Sequence, residues 1–394
     1  MSASLSRVEA TATRAPRGVD ADEEQRLKKF GRAIDEIRER IEAKVGEEDV
    51  RRVKRVDLFS RTMEVVGRAL IHFSFEPITF SLGVVALWLH KQLQSTEIGH
   101  YALHGSYDKL PGAERYQSKT FYWDTPIDEE AWRYGHNVRH HQYTNIAGKD
   151  PDIHFGSVRL TEQTPHRFMN YLQVPMTLLV NVPSFSFVMN GHFTGLVDLY
   201  VGNGRGTDDF LADRSWKSIA KAHEMAFRKW VPYLAKEYLF FPMLAGPFFW
   251  KVALGNFLAG LLRDVYSAAT IYCGHVGDDV ASYEEGTRAR GRGQWYAMQV
   301  ESANNFEVSL PISMLCGALD RQIEHHLFPK LPPDRLREIA PEIRAVCAEY
   351  GVDYKTDTWG GTLKKVFRRL VDLSAKDPSR GLFARARNQL ADVA

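Results

Sequence analysis

The chain has 394 residues, with 51 Lys and Arg set against 49 Asp and Glu for a formal net charge of +2. That balance gives no electrostatic footprint for nucleic acid, which is not expected as a partner. The three cysteines, Cys273, Cys316 and Cys347, are far apart and form no CxxC pair, which argues against a disulfide framework and against a cysteine-ligated zinc or iron–sulfur site.

Residues 1–20 are small, polar and Arg-containing and read as disordered. They contain no apolar h-region, so no secretory signal is expected. Over 21–55, Leu27, Phe30, Ile34, Ile37, Ile41 and Val45 recur at steps of three and four and predict one helix with an apolar stripe. It is expected to pack on its own domain in preference to lying on a membrane through Arg51, Arg52, Lys54 and Arg55.

Three apolar blocks follow. The first, "RALIHFSFEPITFSLGVVALWLHK" (68–91), is interrupted by Glu76-Pro77. It reads as one span, or as a helical hairpin turning near Pro77 whose second arm runs on through "QLQSTEIGHYALHG". The second, 168–200, is apolar but broken by Pro175 and Pro183. The third, 238–277, is about twice the ~20 residues of one span and breaks near Lys251, as a pair of spans would. Several marginal spans between charged segments point to a polytopic, all-α membrane protein with large aqueous parts. A soluble helical protein with buried core helices is the alternative. The expected division is an N-terminal segment and amphipathic helix (1–60), a membrane-bound domain (61–350) and a C-terminal cytosolic extension (351–394).

Seven of the fourteen histidines fall in three short clusters between and after these blocks: "HYALH" (His100, His104), "HNVRHH" (His136, His140, His141) and "QIEHH" (Gln322, His325, His326). Residues four apart stack on one helix face. His100 and His104 are therefore expected to address one metal, as are His136 and His140. His141, rotated by roughly 100° from His140, reaches a second metal or completes the first. Gln322 stacks under both His325 and His326. Imidazole suits Fe and Zn, and seven imidazoles exceed what a single ion takes, so two metals are the economical reading.

"EIGHYALHG", "HNVRHHQYTNIAGKDPDI" and "QIEHHLFPKLP" resemble, in order and spacing, the three histidine boxes of the membrane-bound fatty acid desaturases. The Gln opening the third box resembles the front-end and acyl-lipid branch. The similarity runs from about residue 60 to 350. It implies a cytosolic helical cap that holds two non-haem irons, with every box on the cytoplasmic side of an integral, multi-pass membrane protein. By match, His100, His104, His136, His140, His141, His325 and His326 carry over as ligands, and His275 in "YCGHVGDD" supplies the eighth expected near the end of the last span. Gln322, in a position that is His in the sister branch, is expected to bind iron directly, through water, or to orient a neighbour. Glu97, one turn before His100, is a candidate to accept the free N–H of a ligand imidazole. Asp150 and Asp152 are candidates for the same role or for a loop cap, and Asn304 and Asn305 for groups supporting the ligands. His72, His90, His154, His166, His192 and His223 match no box and read as structural.

The resemblance implies O2-dependent insertion of a C=C bond into an acyl chain linked to CoA, a carrier protein or a phospholipid. A hydroxylase or ketolase on a lipid is the alternative within the same scaffold. A soluble four-helix di-iron desaturase would need paired Glu-x-x-His motifs, and "EIGH" has no second. A metal-handling membrane protein would want flexible His tracts in place of three boxes. The reacting methylenes need a narrow apolar tunnel. Tyr101, Tyr107, Trp123, Trp132, Tyr134 and Phe328 are candidate linings, or plain core. The chain carries no HPGG haem motif, no ferredoxin-like cysteine set and no GxGxxG. An external ferredoxin, cytochrome b5 or flavin reductase is therefore implied as electron donor. Arg288, Arg290 and Arg292 are candidates for its docking, though a solvated charge run is the plainer reading.

Overall fold

The structure, a computed structural model, describes residues 21–153, 156, 158–202, 205 and 208–384. Residues 1–20, His154 and the end of the chain from 385, for which expectations were stated above, lie outside the described residues. The longer elements are α1 (Ala21–Glu42), α2 (Glu47–Phe73), α3 (Pro77–Leu93), α4 (Trp216–Ala235), α5 (Phe249–His275) and α6 (Arg292–Glu301). Strand β1 (Asn305–Glu307), helices α7 (Gln322–Leu327) and α8 (Pro333–Glu349), strand β2 (Thr356–Thr358) and α9 (Trp359–Ser374) complete the set. The described residues are mostly helical, as expected. Two short strands pair in parallel, Asn305 opposite Thr356, and tie the C-terminal segment to the third histidine cluster.

The single helix expected over 21–55 is two. Gly46 takes an extended conformation, its N–H donating to the Asp49 carboxylate (2.9 Å), and Glu47, Glu48 and Asp49 crowd the new N-terminus, where the helix dipole favours acids. The apolar stripe of α1 is buried as predicted, with Phe30, Ile34, Ile37 and Ile41 packed toward α6 and α8. Full burial of such a side chain is worth about 1.5–3 kcal/mol, so the stripe secures α1 to the cap. Residues 47–60 continue without a break into 61–73, so position 60 lies inside α2.

The first apolar block forms the hairpin. Helix α2 ends at Phe73, and Pro77 opens α3 at a position where its missing N–H costs nothing, with the Glu76 carboxylate accepting from Ile78 and Thr79 N–H. The arms approach so closely at Gly67 that a Cβ there would sit 2.6 Å from the Leu87 nitrogen. The third block does not break near Lys251, which lies inside α5; the reversal comes earlier, and the arm before it is mostly α4, upstream of residue 238. The chain leaves α4 through the π-helical turn Lys236–Phe240, reverses over 244–248 and enters α5. The two reversals meet: Lys251 Nζ donates to the carbonyls of His72 (2.8 Å) and Ser74 (2.7 Å), and Phe75 packs edge-on to Phe248. At the opposite end α3 runs on through Gln94–His100 and Tyr101–His104, and α5 terminates at His275. All histidine clusters therefore lie at one end of the bundle and both reversals at the other.

Leu58, Val65, Phe73, Ile78 and Leu82 on the hairpin, and Trp250, Leu254 and Phe257 on α5, are exposed. No single helix among the described residues is long and apolar enough to cross a membrane by itself; one pair, Phe168–Asn181 with Phe185–Phe193, passes together with a bend of 109°.

Candidate metal centre

The first cluster rides on the extension of α3. Its leading turn, Gln94–His100, is π-helical, and Gly99 allows the approach of the Trp123 indole, whose N–H donates to the Gln94 carbonyl (3.1 Å). A Cβ on Gly99 would stand 2.1 Å from that indole nitrogen. His100 and His104 share a face as predicted, their Nε2 atoms 3.2 Å apart, and His100 Nε2 lies 3.1 Å from His325 Nε2. The ligand-capable atoms of His100, His104, His136 and His325 all lie within 4.8 Å of one another, as do those of His140, His275 and His326. His141 sits between the groups, its Nε2 3.2 Å from His136 Nε2 and its ring stacked on His326 at 4.4 Å. Thus the structure brings together all eight histidines singled out in the sequence.

It divides the second cluster differently from the four-residue rule. His136 faces His100, His104 and His325, whereas His140 faces His275 and His326. Residues Arg133–His140 are π-helical, and the i→i+5 bonding adds a residue to the turn. His136 consequently meets His141, five residues on, while His136, His140 and Asp152 form a third close group bridging the other two.

Gln322 stands in the second group, its Nε2 2.7 Å from His275 Nε2. Gly274 permits this, since a Cβ there would meet the Gln322 side chain at 2.8 Å. Glu97 does not serve an imidazole. It is buried in a two-pronged pair with Arg337 (2.9 and 3.1 Å), the π-helical turn having carried it off the His100 face. Asn305 does not face the cluster either. Its Nδ2 donates to Glu324 (2.8 Å) and its Oδ1 accepts from Ile323 N–H (2.9 Å), which holds the start of α7. Asn304 donates to Asp279 (3.1 Å).

The groups that do orient imidazoles are mostly ones the sequence left unmarked. Both Asp150 oxygens lie 3.1 Å from His140 Nδ1, whereas Asp152 is 3.6 Å away. His326 Nδ1 is met by Gln299 Oε1 and Thr144 Oγ1, each at 3.1 Å, and His275 Nδ1 by the Ser302 carbonyl at 3.2 Å. Gln299 and Thr144 have no sequence signal beyond lying near a box. Burial lowers the proton affinity of His104, His136, His141, His325 and His326 well below that of a free imidazole, and brings His100 to about 3. They are neutral at physiological pH, the state in which imidazole binds metal. At His140 burial acts in the same direction, but Asp150 and Asp152 outweigh it and push the ring up to about 9. Burial and the neighbouring Asp150 raise the Asp152 carboxyl to about 7.

Eight imidazoles, four in one group, three in the other and His141 between them, fit a pair of borderline metals such as iron. His326 Nε2, whose Nδ1 is already met by Gln299 and Thr144, and Gln322 Oε1 are buried without a hydrogen-bond partner, which a metal bound in the second group would relieve. The described histidines left unassigned in the sequence have partners outside the two groups. His72 bonds to the carbonyls of Arg68 and Phe241, His90 to Ser60, His166 to the Ser374 carbonyl and His223 to Tyr200, while His192 is buried 3.9 Å from Asp152.

His100, His136, His140, His275 and Gln322 open onto a cavity enclosing about 1120 Å³, mouth included. Trp123 and Trp132 line it as anticipated; Tyr101, Tyr107 and Phe328 are core, and Tyr134 is exposed. Most of its apolar wall (Ile127, Phe185, Met189, Phe193 and Ile271) was not foreseen. Farther along α5 the wall turns polar, where Arg263 bonds to Asp264 (2.9 Å), Ser186 (2.7 Å) and Tyr233 (2.9 Å).

Residues 75–358 match the family model described as fatty acid desaturase. The chain is 31% identical over 366 residues to an NADPH-dependent stearoyl-CoA 9-desaturase of Mycobacterium tuberculosis, covering 91% of this chain and 81% of that one. It is 25% identical to an sn-1 linoleoyl-lipid 6-desaturase of Synechocystis sp. (81% and 89% covered) and 24% identical to an acyl-lipid (8-3)-desaturase of Mortierella alpina (81% and 72%).

Proposed function

The chain belongs to the fatty acid desaturase family, and from that premise we propose how it works: it is an oxidoreductase that introduces a C=C bond into a fatty acyl chain, using two irons held by the eight clustered histidines. The observation that carries this reading is the opening of both histidine groups onto one largely apolar cavity. In the proposed assignment His100, His104, His136 and His325 serve one iron. His140, His275 and His326 serve the other, with Gln322 beside them and His141 between the groups. Iron bound there supplies the O2-dependent removal of one hydrogen from each of two adjacent methylenes. The balance requires two further electrons and two protons, and O2 leaves as two waters.

The chain's own residues do the rest. Asp150 holds His140 in the tautomer that presents Nε2 to the site, and Gln299 and Thr144 do the same for His326. Trp132, stacked on His136 at 4.4 Å, and Trp123 exclude water from the reacting carbons. The acyl chain lies in the cavity between α5 and the helix Phe185–Phe193. The relative of higher identity acts on stearoyl-CoA, which favours a CoA thioester over a lipid ester. Its NADPH dependence favours a pyridine-nucleotide-fed reductase as the source of the two electrons. Seating in a membrane is supported by the exposed apolar side chains along the α2–α3 hairpin and α5, and a metal centre at one face of it, which we assign to the cytoplasmic side, by the histidines gathering at the end opposite both reversals.

Expression in a host of known lipid profile, followed by mass spectrometry of its fatty acids, tests the reading. A product lighter by two hydrogens is expected. A product heavier by one oxygen would replace desaturation with hydroxylation.

A further inference from the structure

Helix α9 has two faces. Val366 and Leu370 are buried in the core, and Trp359 stacks on Phe306 (5.4 Å) and meets Tyr266 of α5 edge-on (5.1 Å). The other face carries Leu363, 37% exposed, and Phe367, 42% exposed, four residues apart and interleaved with Lys364 and Arg368. Two of the helix's cations are committed to the protein: Lys365 pairs with Asp279 (2.9 Å) and Asp357 (3.0 Å), and Arg369 with Glu162 (2.8 Å). Lys364 and Arg368 meet no carboxylate among the described residues. Arg368 lies over the Phe383 ring (5.9 Å), next to Phe367 and the exposed Leu382.

This face does not stand alone. Gln173 Nε2 donates to the Leu370 carbonyl (2.6 Å), which joins α9 to the bent apolar pair 168–193. That pair exposes Phe168, Leu172 and Leu179. Through Trp359 and Tyr266, α9 also abuts α5 about 14 Å along its axis from His275. An apolar corner bent by 109° and flanked by a helix with unpaired cations has the chemistry of a bilayer's headgroup boundary: hydrocarbon below, anions above. A soluble acidic partner would satisfy the cations but leave Leu363, Phe367, Phe168 and Leu179 without apolar cover.

We propose that α9 and the bent pair 168–193 form an interfacial seat for an anionic phospholipid leaflet. Leu363 and Phe367 enter the acyl boundary, and Lys364 and Arg368 bind headgroup phosphates. The inference rests on the membrane seating proposed above and adds a lipid preference to it.

The test uses the full-length enzyme in lipid nanodiscs, labelled with a small environment-sensitive fluorophore at Leu363→Cys or Phe367→Cys; the native cysteines are buried. A label at exposed Glu284→Cys marks the aqueous limit and one at exposed Leu82→Cys marks the hydrocarbon limit. Labels at 363 and 367 are expected to be quenched by spin-labelled lipid and shielded from iodide. Quenching should rise when phosphatidylglycerol is added to phosphatidylcholine. The double variant Lys364→Glu/Arg368→Glu should abolish that rise, because each cation near an anionic surface is worth about fivefold in local lipid occupancy. Quenching by iodide alone, shielding from both quenchers as a protein contact or second copy would give, or indifference to phosphatidylglycerol would each overturn the proposal. A Leu82 label open to iodide would instead refute the membrane seating itself.

Discussion

Asp150 illustrates how a residue that binds nothing determines what a ligand does. Its two oxygens face His140 Nδ1, and backbone N–H groups on either side of it in the chain hold it there, Asn145 N–H at 2.8 Å and Asp152 N–H at 2.9 Å. Replacing it by Asn keeps the shape but removes the charge that makes the imidazole a stronger donor. Asp150→Asn is expected to weaken iron retention by about 10–100-fold, as loss of such a partner typically does, read by chelator competition with the desaturase product measured in parallel. Gln322 is the other informative residue. From the sequence it was the place where an imidazole was missing. In the fold it stands 2.7 Å from His275, forty-seven positions earlier in the chain, at a spot opened by Gly274. No local spacing could have revealed that pairing, although the eight histidines themselves were legible because their types and clustering survive any local change of helix geometry.

Elements decide which histidine serves which group: the four-residue spacing held for His100 and His104 but not for His136 and His140. The four-residue rule assumes an α-helix, and both of the first two clusters adjoin π-helical turns that leave no compositional mark. The same extra residue moved Glu97 to Arg337. The hairpin turning near Pro77 was one of two open readings of its block, which the interruption by Pro made possible, whereas the cavity wall was not legible, since Phe185, Ser186 and Phe193 sit in a segment without clean periodicity. Helix α5 carries Arg263 twelve residues before His275, about 18 Å along its axis, and with Ser186 it makes the cavity polar there. Acyl tails reaching that point meet a hydrogen-bonded ion pair in place of apolar wall. Ser186→Phe is expected to shift the accepted chains toward shorter acyl tails. One methylene excluded from such a pocket changes selectivity by about 1–3 kcal/mol, which competition between fatty acids of graded length will measure. An unaltered length profile would show that the polar region does not limit the tail.

For the whole molecule, burying so many neutral imidazoles makes the metal-free protein sensitive to acid. His100, His104, His136, His141, His325 and His326 have folded proton affinities below their unfolded value of about 6.5, so below that pH the unfolded chain binds more protons and stability falls, by up to about 1.4 kcal/mol per pH unit for each group. His140 has the opposite sign. Raised to about 9, its contribution is fully present below about pH 6.5 and is lost as pH rises through 9. His275, lowered to about 3, adds to the six, while Asp152 and Glu324, both raised to about 7, oppose them as pH falls through 7. With seven imidazoles against two carboxyls, the iron-free protein should lose stability on acidification below about pH 6.5 and only mildly toward pH 9, as its thermal midpoint in detergent will report. Bound iron competes with the same protons and should displace the acid limb to lower pH.

The central claim is that two histidine-held irons carry out the desaturation, and it is tested most directly by iron content and fatty acid products measured together on His325→Ala and His140→Ala, one from each group. The account predicts that each variant still accumulates in the membrane fraction, retains less than half of the wild-type iron and yields no desaturated product. Wild-type levels of desaturation by either variant would contradict it.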